Sequence, residues 1–186
     1  MPNKRPPRPS DKPQTPIQYI HTRARQLPIH CCLSTEEKQG VRTIIVARRH
    51  NTGRTTAAAY LVDSWCTGVK DSMWIFNADE ADFNHWKSHF FGGSAENAIS
   101  YAEAHNRIYG ALAWAEDAGI APGAGWEHTQ YILEEDTDEI PLIEYPMGLN
   151  GRYRLCARSE KDLQHYKAIL DRSLGEGNYD EFLSTL

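Results

Sequence analysis

The chain has 186 residues, of which 40% are hydrophobic, 10% aromatic and 24% charged. This composition is typical of one globular domain and excludes wholesale disorder and fibrous repeats. No segment approaches the roughly 20 apolar residues that span a bilayer, so no membrane association is predicted. The net charge of -5 is unevenly divided, because residues 1–26 carry six basic side chains and one acidic one, and the remainder carries 14 basic and 24 acidic.

Residues 1–16 hold six of the ten prolines, each of which fixes φ and removes a backbone donor. We therefore predict a disordered, proline-rich basic tail over 1–16, followed by a single α+β domain over 17–186. The tail has no apolar core of the kind found in secretory signals, which favours a cytoplasmic protein with reduced thiols. The four cysteines form no Cys-x-x-Cys pair, and no metal or cofactor is predicted.

The first part of the domain has the clearest secondary-structure pattern. Apolar spacing predicts a short helix over 17–26, and the next segment, 29–33, is typical of a strand. Two apolar runs follow at 41–48 and 55–63. Their connection is short and contains Asn and Gly, so we predict that they pair as an antiparallel hairpin.

A second hairpin is predicted about Asn150-Gly151, with arms at 142–148 and 152–158, because Asn-Gly favours a type I′ turn. The segment 64–71 is expected to be irregular, with a strand at 72–76. The predicted helices are 79–91 with Asn77 as N-cap, 96–118 with Ser94 or Asn97 as N-cap, 126–134, and 160–173 with Ser159 as N-cap, and a short helix is expected at the end of the chain. The fold class is therefore α+β, with two antiparallel hairpins and four to five helices packed on one side.

The segment between Asp63 and Asp71 contains the most unusual chemistry. It brings two carboxylates, the Cys66 thiol and the Lys70 amine within nine residues at the end of an apolar strand. A neighbouring amine or carboxylate could activate the thiol or serve in acid–base catalysis. The alternative, which we favour, is structural: Asp63 caps backbone donors, Lys70 pairs with Asp71, and Cys66 is a small core residue.

Two further groups of side chains could bind a ligand. His85 and His89 are four residues apart on a predicted helix, a spacing that suits two ligands of one metal, but surface or packing roles are favoured and no metal ligands are assigned. Arginines on the two hairpins could form a phosphate-contacting surface, although compensation of the acidic residues between 134 and 144 is the favoured explanation. These arginines are Arg48, Arg49, Arg54, Arg152 and Arg154.

The run from Tyr60 to Asp71, YLVDSWCTGVKD, resembles a segment of the form YLVDxxCLGVKD in a family of uncharacterised bacterial proteins. The resemblance extends back through HTRARQLPIHCCL and VARRHNTG, and forward through IYGALAWAEDAGIAP and YILEEDTDEIPLIEYPMGLNG, so that it covers about residues 17–175. Thr67 stands where the family pattern has Leu. The resemblance implies a bacterial, cytoplasmic setting and assigns no activity and no catalytic residue.

The leading functional hypothesis is a small cytoplasmic binding or interaction protein, as a subunit or accessory factor of a larger, nucleic-acid-associated assembly. A protein partner or a second copy of the chain is expected, and nucleic acid could bind through the basic tail and the arginine-bearing hairpins. The alternative is a hydrolase or nuclease that uses the Asp63–Asp71 segment in host defence or regulation. A Pro-rich tail, five tryptophans and two hairpins favour binding, and no complete catalytic constellation is present.

Overall fold

The computed structural model describes residues 14–183. The predicted disordered tail therefore lies almost entirely outside the described residues, and only its last three positions can be compared. Of these three, Thr15 is the N-cap of the first helix and Pro16 is its first residue. The Thr15 hydroxyl accepts the Gln18 N–H, and the Gln18 side chain accepts the Thr15 N–H, so the two residues form a capping box.

The predicted α+β class is confirmed: the described chain combines helices with an antiparallel sheet whose first four strands follow one another in sequence. The helices are α1 (Pro16–Arg23), α2 (Glu80–Phe91), α3 (Tyr101–Asp117), α4 (Trp126–Thr129) and α5 (Glu160–Ser173), with 3-10 turns at Ala24–Gln26 and Gln130–Ile132. The strands are β1 (Ile29–Ser34), β2 (Val41–Arg49), β3 (Thr55–Asp63), β4 (Gly68–Ala78), β5 (Asn97–Ala98), β6 (Arg154–Ala157) and β7 (Asp180–Leu183). No helix within 14–183 is long and apolar enough to cross a membrane.

The main sheet is antiparallel and has the strand order β4-β3-β2-β1-β5. The predicted hairpin of β2 and β3 is confirmed, with Ile45 opposite Ala59. The second hairpin of the sheet is formed by β3 and β4, which turn around residues 64–67. The segment 64–71 is thus less irregular than expected, since β4 already begins at Gly68.

Helices cover both faces of this sheet, which corrects the expectation that they pack on one side. In β2, Ile44 and Val46 belong to the core under α1 and α3. Ile45 and Ala47, which alternate with them, belong to the core under α2 on the opposite face. Side chains alternate between the two faces of a strand. A continuous apolar run such as the one in β2 therefore indicates a strand that is buried on both sides.

The hairpin predicted about Asn150-Gly151 is wrong, although its turn is correct. Asn150 and Gly151 have positive φ angles of 57° and 76°, and Leu149 pairs with Arg152 across them. However, residues 142–148 form no strand, and β6 pairs in parallel with β7 instead. A local turn signal sets the direction of the chain, but it does not select the strand that a segment pairs with.

Helix starts differ from the prediction by a few residues in two of three cases. Ser159 caps α5 as predicted and accepts the Asp162 N–H. Asp79 and not Asn77 caps α2, because Asn77 lies within β4 with a φ of 50°. Ser100 caps α3, since Asn97 is paired in β5. The predicted closing helix is replaced over 180–183 by β7.

The C-terminal unit, formed by α5, β6 and β7, packs against the end of the sheet where β3 turns into β4. Leu155 and Leu170 of this unit share a buried cluster with Cys66 in the turn and with Ala115 of α3. The C-terminal unit therefore covers one end of the sheet, and α2 packs on the sheet away from that end. This arrangement creates the concave surface described below.

Candidate functional site

Asp63 is the structural centre of the turn between β3 and β4. Its side chain is 1% exposed and accepts the backbone N–H groups of Trp65, Cys66 and Thr67. The Thr67 hydroxyl donates to the same carboxylate at 2.6 Å. The oxygens of Asp63 are thus used by the turn itself, and the predicted capping role describes them better than acid–base catalysis does.

Cys66 is fully buried beneath this turn. Burial raises the pKa of its thiol to about 12, and the neighbouring Asp63 carboxylate acts in the same direction. A nucleophilic cysteine requires a lowered pKa and access to a substrate. The position of Cys66 therefore corresponds to the core residue of the favoured interpretation.

Lys70 and Asp71 lie in β4, where Lys70 is the extra residue of a β-bulge. Val69 pairs with Val62 and Asp71 pairs with Leu61, so that Lys70 has no partner on β3. Bulges redirect side chains and are frequent beside binding sites. The Lys70 ammonium reaches to 3.9 Å from an Asp63 carboxylate oxygen and also lines a cavity.

The four predicted catalytic residues therefore do not form one site. Asp63 and Cys66 are buried, and Lys70 faces the cavity at the end of the sheet. Asp71 is exposed, lines a different cavity and accepts the N–H of Ser72. The expected pair between Lys70 and Asp71 is wrong within the described residues, because Lys70 pairs with Asp63.

The cavity, called the basic cavity below, has a volume of about 740 Å³ and lies between the sheet and the C-terminal unit. Its cations come from three separate places: Lys38 precedes β2, Lys70 lies in the bulge of β4, and Arg158 precedes α5. Gln39 and Tyr166 add side-chain donors. The complete lining is Lys38, Gln39, Val41, Leu61, Lys70, Cys156, Ala157, Arg158, Asp162 and Tyr166.

The electrostatics of the basic cavity favour an anion. Among residues 14–183, neither Lys38 nor Arg158 has a carboxylate within ion-pair distance. The one carboxylate in the lining, Asp162, accepts a hydrogen bond from Ser159 at 2.7 Å. Arg158 and Asp162 also place the start of α5 at the wall, where Ser159 caps the helix and Glu160 and Asp162 are the acidic residues of its first turn.

Cys156 and Ala157 form the part of the basic cavity that belongs to β6, and Arg154 lies two residues before Cys156 on the same strand. Burial raises the pKa of the Cys156 thiol, whereas the Arg154 guanidinium beside it acts in the opposite direction. The Arg154 Nε is buried and has no hydrogen-bond partner among the described residues. Its guanidinium lies 5.7 Å from the centre of the Trp65 ring. Arg154 is thus partly buried beside Trp65 and does not line the basic cavity.

Arg48, a predicted phosphate ligand, is 1% exposed and cannot contact a phosphate. Its guanidinium donates to the backbone carbonyls of Arg25 and Leu27, and its Nε donates to that of Ile132. An ion pair with Glu134 at 2.5 Å completes the set. This arginine is a buried clamp that joins segments distant in sequence, and its assignment to a binding surface is corrected.

The other predicted arginines do not form one surface either. Arg49 bonds to the His30 ring and Arg54 donates to the Asn77 carbonyl, both at the 50–54 turn. Arg152 pairs with Asp180, and the Arg154 N–H donates to the Trp65 carbonyl at the other end of β3. The nine residues of β3 separate the two groups by roughly 27 Å. One phosphate group cannot contact both.

His85 and His89 lie on the exposed side of α2, with ring centres 4.7 Å apart. The His89 Nδ1 bonds to the backbone carbonyl of His85 within the helix. Among residues 14–183, no group of three or more His, Cys, Asp or Glu side chains is arranged to hold a metal ion.

Sequence reasoning did not assign Lys38, Gln39, Arg158 or Tyr166 to a binding site. Three of the cavity's cations are separated by 32 and 88 positions along the chain, and no motif connects them. Comparison with known proteins adds no candidate, since no family model, no curated protein and no solved structure matches the chain. The resemblance described from the sequence remains a prediction.

Proposed function

We propose that this chain is a binding protein that holds a small anionic ligand in the basic cavity. The observation that carries the proposal is the convergence of Lys38, Lys70 and Arg158 from three elements on one concave surface. Lys70 is paired with Asp63, but Lys38 and Arg158 have no carboxylate within ion-pair distance among the described residues, so a bound anion would offset their mutual repulsion. Phosphate and carboxylate groups match these donors.

The charge of the surrounding protein strengthens this argument. The chain after residue 26 has ten more acidic than basic side chains, so a random surface patch would be negative. A positive cavity in such a body is a local exception. Its volume of about 740 Å³ lies within the range of about 300–1,000 Å³ that is usual for small-molecule sites.

The lining of the cavity supports binding rather than catalysis. Cys156 is the thiol at its wall, and burial raises the pKa of that thiol, which disfavours the nucleophilic thiolate. No histidine is among the described residues of the lining. The proposal thus narrows the sequence-based hypothesis of a binding protein to a ligand of small-molecule size, while a protein or nucleic-acid assembly through other surfaces stays a prediction.

The test is a titration of the full chain with inorganic phosphate and pyrophosphate, followed by calorimetry or by backbone amide NMR shifts. Arg158→Gln and Lys38→Gln each remove one cation from the cavity. Hydrogen bonds to charged groups contribute about 1.5–3 kcal/mol, so each variant should weaken binding by roughly tenfold or more. Shifted amides should cluster around residues 38–41, 70 and 157–162.

Arg172→Gln is the matched control, because Arg172 is an exposed arginine on α5 outside the cavity lining. It should leave the affinity for phosphate unchanged. Thermal unfolding of all variants should agree, since Lys38 and Arg158 are both exposed. Equal loss in Arg172→Gln and Arg158→Gln, or no saturable anion binding by the parent chain, would refute the proposal.

A further inference from the structure

We propose, on the basis of the anion site above, that the ligand is an anionic amphiphile: a phosphate or carboxylate head group joined to an apolar chain. The head group occupies the basic cavity. The apolar part lies along the sheet in a second cavity of about 200 Å³, called the apolar cavity below.

The two cavities adjoin on one face of the sheet. Leu61 of β3 lines both of them. On β2, Val41 lines the basic cavity and Thr43, two residues along the same face, lines the apolar cavity. On β4, the basic cavity begins at Lys70, directly beside the apolar cavity. A molecule bound to the cations can therefore extend along the strands without leaving the surface.

The apolar cavity is lined mainly by hydrocarbon side chains that the fold leaves uncovered. Its hydrocarbon walls are Ala59, Leu61, Met73 and Phe90, and the polar part of its lining is Thr43, Ser72 and the exposed Asp71. Met73 is 54% exposed, whereas its chain neighbours are buried (Ser72) and partly buried (Trp74). Methionine adapts to apolar groups of varied shape, and exposed methionines are frequent at binding surfaces.

The geometry of the fold explains why this strip stays open. The core under α2 takes in Ala57 and Ala59 with Phe83 and Phe91, but it does not include Leu61. The C-terminal unit buries the turn at Cys66 in a separate cluster. Between these two clusters the face of the sheet carries Leu61 and the exposed Met73, and the exposed Asp71 lies opposite Leu61 on β4.

The charge of the basic cavity and the size of the apolar cavity indicate which class of ligand fits both. A purely apolar ligand would leave Lys38 and Arg158 without an anion, whereas a bare anion would leave Met73 in water. A single molecule that joins both properties satisfies both cavities. The apolar cavity holds a few methylene groups, so a short or medium alkyl chain fits it.

The experiment is a titration with inorganic phosphate, butyl phosphate and hexyl phosphate, with hexanol and hexanoate as further arms. Burial of one methylene contributes about 0.8 kcal/mol, which is roughly a fourfold gain in affinity. We expect the affinity to rise with chain length until the apolar cavity is filled. Hexanoate in place of hexyl phosphate identifies which head group is preferred, and tight binding of either supports an anionic amphiphile.

Met73→Ser should reduce the gain from the alkyl chain and leave the affinity for inorganic phosphate unchanged. Leu142→Ser is the matched control, since Leu142 is 78% exposed and lies outside both cavities. Equal affinity for inorganic and hexyl phosphate, or equal affinity for hexanol and hexyl phosphate, would overturn the amphiphile. If the amphiphile is overturned but Arg158→Gln still weakens phosphate binding, the proposal of an anion site remains valid. If the parent chain binds none of these anions, both proposals are overturned.

Discussion

Removal of the Asp63 carboxylate should destabilise the protein strongly. In Asp63→Ala, the N–H groups of Trp65, Cys66 and Thr67 lose their acceptor. Trp65 is partly exposed and can turn to water, but Cys66 and Thr67 are buried. An unsatisfied buried donor costs about 1–3 kcal/mol, so the two together predict a loss of about 4 kcal/mol in the free energy of unfolding.

The assay is urea denaturation followed by tryptophan fluorescence, with the m-value compared between variants. Asp63→Asn keeps one accepting oxygen and should lose about half as much, about 2 kcal/mol. Asp71→Asn is the control, since Asp71 is exposed, and it should stay within about 0.5 kcal/mol of the parent chain. An Asp63→Ala protein within about 1 kcal/mol of the parent would refute the structural role given to Asp63.

Three other measurements test the packing. The Cys66 thiol, with a pKa of about 12, should not react with a disulfide reagent at pH 8 until the chain unfolds, and rapid reaction in the folded state would contradict its burial. Gly123→Ala places a Cβ 1.8 Å from the Lys70 carbonyl oxygen and should cost about 2 kcal/mol or more in urea denaturation, whereas Gly110→Ala meets only the flexible end of a methionine and should cost less. Burial lowers the pKa of His50, so the folded state favours the neutral imidazole, and the free energy of unfolding should fall as the pH drops through about 6.5. His50→Gln should make this fall smaller, and a pH profile identical to that of the parent chain would contradict the role given to His50.

The sequence predicts the central hairpin well because its signals are local. The apolar runs of β2 and β3 and the short turn between them contain all that their pairing requires, and the register follows from the turn. The capping role of Asp63 is likewise local, since the groups that donate to its carboxylate lie within four residues. Such features can be read from a window of about ten residues.

The remaining errors concern contacts between distant segments. The pairing of β6 with β7 joins residues 154–157 to 180–183 in parallel, and no turn signal encodes it. Arg48 looks like a surface cation in the sequence, yet its partners are carbonyls and a carboxylate 21 to 86 positions away. A buried arginine is tolerated only where such partners converge, and that convergence is a property of the fold.

The basic cavity is likewise formed by residues that are distant in sequence, and it changes how the uneven distribution of charge along the chain is interpreted. Cations spread along the sequence suggested an extended phosphate-binding surface, whereas the fold places Arg49 and Arg54 at one end of the sheet and gathers Lys38, Lys70 and Arg158 at the other. The chain after residue 26 is acidic as a whole, and screening limits the reach of each charge to about 8 Å at physiological salt. A polyanion that extends beyond the cavity would meet this negative surface, but a small anion inside it would meet mainly the three cations. The charge distribution therefore favours a compact anionic ligand over a nucleic-acid strand lying across the body.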